Sequence, residues 1–270
     1  MTLLPDELYA ALVTFAARPA VLLGVDFDGT LAPFVTDPMQ ARATPGAIEA
    51  LRAAAALPGV TTAVVSGRDL ATLSRLTGVA PDEPIALIGS HGAESSDPVL
   101  AGSVGTEPDS SADGSVTERL AAVTADLEAV ARAHPPVRIE HKATAVALHT
   151  RDVDGEVAAH AATAAREVAT RHTGVHVLPG KDVVELSVVE TSKGAAVRAL
   201  AAARGVRATA YIGDDVTDER AFEVLSPDDG DLTIKVGEGE TGASHRVPDV
   251  ATVLEVLQTF LRLRTAGQGR

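Results

Sequence analysis

The chain has 270 residues, 46% of them hydrophobic but only 3% aromatic, with no Cys or Trp and a net charge of -14. That composition builds a core from Ala, Val and Leu and excludes disulfides, thiolate metal sites and cysteine nucleophiles. An acidic surface repels nucleic acid and anionic membranes, and it repels phosphate esters too unless a metal or a few cations reverse the field locally.

Asp6 and Glu7 stand where a signal peptide carries positive charge, and Arg18 and Pro19 interrupt the apolar stretch 8–25. A soluble, cytoplasmic protein is therefore expected. Residues 6–17 have a helical pattern, and 21–27 form a continuous apolar run suited to a strand buried on both faces. Thr44-Pro45 reads as a cap with Pro at the first helical position, opening a helix to about residue 56. A second buried strand is expected at 60–65, a helix at 69–76 stopped by Gly78, and a third strand at 85–88. The alternation predicts a Rossmann-like α/β core, a parallel sheet with helices on both faces.

From 95 to 115 the composition shifts to Ser, Gly, Asp and Pro, the signature of a surface linker. The rhythm then becomes helix (116–133), strand pair (137–140, 144–150), helix (155–172) and strand pair (175–178, 183–187). This αββαββ order predicts an inserted α+β module, a small antiparallel sheet with two helices on one face. The first rhythm resumes with helices at 193–203, 218–225 and 250–263 and strands at 208–212 and 232–236. The expected organisation is a core of residues 1–110 and 191–270 interrupted by a module of 111–190.

Three motifs stand at strand ends, where open α/β sheets bind ligands, and a fourth opens a helix. Asp26-Phe27-Asp28-Gly29-Thr30 closes the first strand. Two carboxylates so close repel unless a cation bridges them, and one can attack phosphorus while the other handles the leaving group's proton. Asp-Gly by itself is also a common turn. Ser66-Gly67-Arg68 ends the second strand, where a hydroxyl and turn N–H groups can hold phosphate oxygens, though Ser-Gly also punctuates ordinary loops. Lys193 opens a helix and can neutralise phosphate or carboxylate, or simply be a solvated lysine. Gly213-Asp214-Asp215-Val216-Thr217-Asp218-Glu219 places four acids within six positions, too many for one strand end without a cation, although Asp218 and Glu219 alone would suit a helix N-terminus. His91, after the third strand, suits a ligand contact or a structural bond to a loop carbonyl.

In that order the motifs resemble the haloacid dehalogenase superfamily, in the subgroup with an αββαββ cap. Within it the chain is similar to the trehalose-6-phosphate phosphatase family, through Asp26-Phe27-Asp28-Gly29-Thr30-Leu31-Ala32-Pro33, Gly89-Ser90-His91-Gly92, Glu140-His141-Lys142 and Gly180-Lys181-Asp182-Val183-Val184-Glu185. Ser187 departs from the pattern, since the family often carries Arg followed by Pro there. The resemblance implies hydrolysis of trehalose 6-phosphate through an aspartyl-phosphate. Asp26 would be the nucleophile and Asp28 the acid and base. Ser66 and Lys193, with Arg68, would hold the phosphate. Asp26, the Asp28 carbonyl and Asp214 would hold Mg²⁺, with Asp215 in support. Glu140, Lys142, Lys181 and Glu185 would hold sugar hydroxyls. A sucrose-phosphate or mannosyl-phosphoglycerate phosphatase, or a sugar phosphomutase, would share much of the pattern. The partner in every case is a small sugar phosphate, not nucleic acid or membrane.

Overall fold

The computed structural model describes residues 4–100, 115–180 and 182–267. The chain forms two compact units, Met1–Val104 with Ser192–Arg270 and Gly105–Thr191.

The first unit is built on a seven-stranded sheet. Its elements are α1 (Asp6–Ala16), β1 (Val21–Asp26), α2 (Ala47–Ala55), β2 (Val60–Val65), α3 (Leu70–Thr77), β3 (Ile85–Gly89) and β4 (Glu94–Ser95). The insert holds α4 (Val116–Ala133), β5 (Arg138–His141), β6 (Ala145–His149), α5 (Gly155–Arg171), β7 (His176–Gly180) and β8 (Val183–Ser187). The first unit resumes with α6 (Lys193–Ala203), β9 (Ala208–Gly213), α7 (Val216–Val224), β10 (Leu232–Val236), β11 (His245–Val247) and α8 (Val250–Gly267).

The strand order is β11-β10-β9-β1-β2-β3-β4, parallel except for β4. All six residues of β1 are buried. Val21, Leu23 and Val25 join one core with α1, α2 and α8, while Leu22 joins another with α6 and α7. Apolar residues at both parities are what a strand covered on both faces requires. The chain moves outward from β1 through β2 and β3, then returns beside β1 with β9 and moves outward the other way. Strand order therefore reverses between β1 and β9, and the crevice at such a reversal, outside the carboxyl ends, is where these sheets bind ligands.

The second unit is a four-stranded antiparallel sheet, β5-β6-β8-β7. Val146, Leu148, Val184 and Leu186 pack with Val123, Leu127, Ala161 and Val168 of α4 and α5. Alternate residues point to opposite faces, so the two helices cover one face only. The αββαββ order and the parallel-sheet core are those the sequence predicted.

Several local expectations are corrected. Helix α2 begins at Ala47, not at Thr44-Pro45: Gly46 sits at its N-cap with φ 93°, a left-handed conformation that cannot belong to the helix. Thr44 instead bonds Leu31 and closes a turn onto Ala47. Helix α7 starts at Val216, earlier than expected, because Asp215 caps it. Residues 95–100 are not linker. Ser95 pairs with Ile88 in β4, Asp97 is buried and ion-paired with Arg204, and Leu100 lies in the core. The rest of the expected linker, to residue 114, lies outside the described residues. Strand β11 has three residues, too few to show a period. Helix α8 runs to Gly267 because Arg264 in its last turn is buried on the carbonyls of Ala16, Arg18, Pro19 and Pro58. Among the described residues no helix is long and apolar enough to cross a membrane.

Candidate active site

Asp26 is the last residue of β1, Asp214 follows β9, and Lys193 opens α6, so three separate elements bring them together, while Ser66 follows β2. Lys193 is 3% exposed, and its Nζ donates to Asp26 Oδ1 at 2.7 Å and to Asp218 Oδ1 at 2.8 Å. Asp215 Oδ1 lies 3.7 Å from the same ammonium. Burying so many charges is tolerated only where they are paired and bonded.

Asp218 organises this cluster. It is fully buried, and its carboxylate accepts from Lys193, from Tyr211 Oη (2.8 Å), and from the backbone N–H groups of Asp214 (2.9 Å) and Asp215 (3.0 Å). A side chain on Gly213 would place its Cβ 2.2 Å from the Asp218 carboxyl carbon, so only glycine lets Asp218 turn in. Gly29 serves Asp214 in the same way: at φ 84°, its missing Cβ would lie 2.2 Å from Asp214 Oδ2. Thr30 Oγ1 donates to Asp214 Oδ1 at 3.4 Å, and the buried Lys235 of β10 donates to the Asp214 backbone carbonyl.

Oxygens of Asp26, Asp214 and Asp218 lie within 4.8 Å of one another. Burial raises the Asp26 carboxyl well above its ordinary range, with Asp218, Asp214 and Asp215 adding to the rise and Lys193 opposing it. Burial, then Asp218 and Asp215, push Asp214 up to about 7 against the pull of Lys193 and Lys235. For Asp215 the push of burial is outweighed by Lys193 and by bonds from Thr217 and Asp218, which bring it down to about 2. Four carboxylates thus surround two ammonium groups. A hard divalent cation meets both the unbalanced charge and the all-oxygen donor set, so the residues fit Mg²⁺.

The sequence-derived candidates divide accordingly. Asp26, Asp214 and Lys193 converge. The Asp28 carboxylate is instead gripped by Arg68, with Nε–Oδ2 and Nη2–Oδ1 both 2.6 Å, and Arg68 lies over the Phe27 ring at 5.7 Å. Such a fork on a carboxylate fixes orientation as well as charge. Asp215 caps α7 through Thr217 N and Asp218 N. Ser66 is buried, and its Oγ accepts from the Arg68 N–H at 3.1 Å. His91 adopts φ 54°, donates its N–H to the Ser66 carbonyl, and lays its ring over Gly67.

In the second unit Glu140, Lys142 and Glu185 meet. Lys142 Nζ donates to Glu185 Oε2, and both side chains are 7% exposed. Glu140 is bonded to His149. Lys181 lies outside the described residues. Ser187 closes on itself locally, its Oγ donating to the Val189 carbonyl at 2.8 Å where the chain leaves β8.

Sequence reasoning missed Asp218, Lys235, Tyr211 and His149. Lys235 had a signal, being the one charged residue in a strand, Leu-Thr-Ile-Lys-Val, whose five positions are all buried. Asp218 had a fainter one: Asp215 and Asp218 are three apart and form a capping box, yet the sequence cannot say that the box is buried.

Residues 24–251 match the trehalose-phosphatase family. The chain belongs to this family. It is an enzyme of the phosphoric monoester hydrolase class. A trehalose-phosphate phosphatase of Mycobacterium tuberculosis is 33% identical over 274 residues, covering 97% of this chain and 67% of its own length. A solved trehalose-6-phosphate phosphatase related protein is 28% identical with a TM-score of 0.69, covering 92% of this chain and all of that one. The C-terminal domain of the Candida albicans trehalose-6-phosphate phosphatase shares the fold, at 22% identity and a TM-score of 0.73, covering 97% of this chain and 98% of that one.

Proposed function

We propose that the chain hydrolyses trehalose 6-phosphate to trehalose and phosphate, through an aspartyl-phosphate on Asp26 and with Mg²⁺ bound. The observation that carries this is the buried Asp26 at the end of β1, 2.7 Å from the Lys193 ammonium and clustered with Asp214 and Asp218. An Asp26 oxygen attacks phosphorus, and the departing sugar oxygen takes a proton from Asp28. Water then attacks the phosphorus held on Asp26, Asp28 takes its proton, and phosphate leaves. Lys193 and Ser66 hold phosphoryl oxygens, and Arg68 orients Asp28. Asp26, Asp214 and the Asp28 carbonyl, with Asp215 and Asp218 in support, would hold Mg²⁺, which would supply charge neutralisation for the transferring group.

Residues 1–110 and 191–270 are the catalytic core in this assignment, and 111–190 are a cap that reads the sugar. Every sugar phosphate shares its phosphoryl group, so discrimination must come from groups that reach the distant hydroxyls. Glu140, Lys142, Lys181 and Glu185 are those groups, since charged side chains make the stronger hydrogen bonds to hydroxyls. A membrane-impermeant anionic substrate fits a cytoplasmic setting. The test is phosphate release from trehalose 6-phosphate, sucrose 6-phosphate and mannosyl-phosphoglycerate, with and without Mg²⁺. Trehalose 6-phosphate should be turned over fastest and only with the metal. A preference for another substrate, or full metal-free turnover, would refute the assignment.

A further inference from the structure

The helix-free face of the second unit's sheet carries a histidine, His149, that none of the assigned roles uses. Register places residues in rows across the strands: Arg138 opposite His149 and then Val183, and Glu140 opposite Ala147 and then Glu185. Directly opposed residues share a face, and so do alternate positions along each strand, 138 and 140 in β5 and 145, 147 and 149 in β6. His149, Glu140, Ala147 and Glu185 therefore stand together on the face opposite to the helices. The floor is small, Ala145 and Ala147, while the groups around it are charged.

His149 Nε2 lies 2.7 Å from Glu140 Oε2, with the two side chains 35% and 44% exposed. Beside them lies the buried Lys142–Glu185 pair. The four groups form one electrostatic cluster: burial raises the Glu185 carboxyl, Lys142 pulls it down, Glu140 pushes it up, and His149 pulls it down. A carboxylate on an exposed strand has several rotamers, and holding one of them before a ligand arrives removes an entropy cost from binding. His149 is placed to do that for Glu140.

Resting on the assignment of this face to the sugar, we infer that His149 is a specificity-determining positioning residue: it holds Glu140 in the pose that accepts a pyranose hydroxyl. Its effect lies in sugar binding and not in phosphoryl transfer.

The experiment measures kcat and KM of the Mg²⁺-loaded enzyme on trehalose 6-phosphate and on p-nitrophenyl phosphate, which has no sugar. The variants are His149→Ala, His149→Gln, Glu140→Ala and the double variant His149→Ala with Glu140→Ala. His149→Ala should raise KM for trehalose 6-phosphate about tenfold with kcat within about twofold, and leave aryl phosphate turnover unchanged. His149→Gln, whose amide can donate to Glu140, should recover most of the loss. The double variant should be no worse than Glu140→Ala, because a residue acting through Glu140 has nothing left to act on. Additive losses, or equal losses on both substrates, would overturn the inference. So would an unchanged His149→Ala beside a crippled Glu140→Ala, which leaves the sugar face standing without His149. If Glu140→Ala itself spares trehalose 6-phosphate, the assignment of the face falls and the inference falls with it.

Discussion

Asp218→Asn keeps the shape of the side chain and changes one thing, the ability of both carboxylate oxygens to accept. In the native protein one oxygen faces Lys193 and Tyr211, and the other faces two backbone N–H groups. An amide can satisfy one of these pairs and must turn its NH₂ toward the other, leaving two buried donors without an acceptor. Each such loss costs about 1–3 kcal/mol, so the gross penalty is about 2–6 kcal/mol. Removing a negative charge also relieves Asp26 and Asp214. Burial, not Asp218, is the larger cause of the Asp214 shift to about 7, so that relief is worth only about 1 kcal/mol. The hydrogen bonds win, and a net destabilisation of about 1–5 kcal/mol is expected, which lowers Tm by roughly 2–20 °C. Lys193, held by Asp26 with one partner fewer, should also lose its position, and a displacement of even about 1 Å costs on the order of a hundredfold in kcat. Thermal and urea unfolding, with phosphate release at saturating trehalose 6-phosphate, read both effects. An Asn variant as stable and as active as the native protein would show that Asp218 is only a helix-end charge.

Asp26→Asn should abolish turnover by several orders of magnitude while the fold survives, measured by phosphate release and circular dichroism; substantial residual activity would remove Asp26 as nucleophile. Asp214 titrates near 7 and Asp26 well above its usual range, so the metal-free folded protein binds more protons than the unfolded chain between about pH 4 and 7. Its stability should therefore fall as pH rises through that window, and Mg²⁺ should raise Tm more at pH 7.5 than at pH 5; a metal-independent Tm with the opposite trend would contradict the cluster's proposed charge. Lys142→Met leaves Glu185 buried without its ammonium, and burial already raises that carboxyl. A neutral Glu185 needs no partner, so the variant should unfold more easily at pH 8 than at pH 5, by up to about 3 kcal/mol, and equal losses at both pH values would show that the ion pair is not the cause.

The core strands were legible because a doubly covered parallel strand must be apolar at every position, and 21–26, 60–65 and 232–236 nearly are. The insert was legible from the change of rhythm after residue 115. Helix starts were less so. Thr44-Pro45 carries a strong local signal, yet a turn held by Leu31 and a left-handed Gly46 overrides it. Residues 95–100 have a loop's composition, and only the neighbouring β3 and Arg204 make them structured.

The sequence by itself determined the strand ends at which Asp26, Ser66 and Asp214 stand, because apolar runs and the residues that break them are properties of the local chain. It also led to the expectation of a cation at these acids, since their number is a matter of composition. Tertiary structure alone decided how the charges are divided. Lys193 reaches Asp26 across 167 positions of chain, Arg68 reaches Asp28 across 40, and Lys235 reaches Asp214 across 21. The same carboxylate is a solvated helix cap when exposed and the anchor of a buried lysine when buried. Burial is set by what the rest of the chain packs against it, which is why Asp218 looked ordinary in the sequence and proved central in the fold.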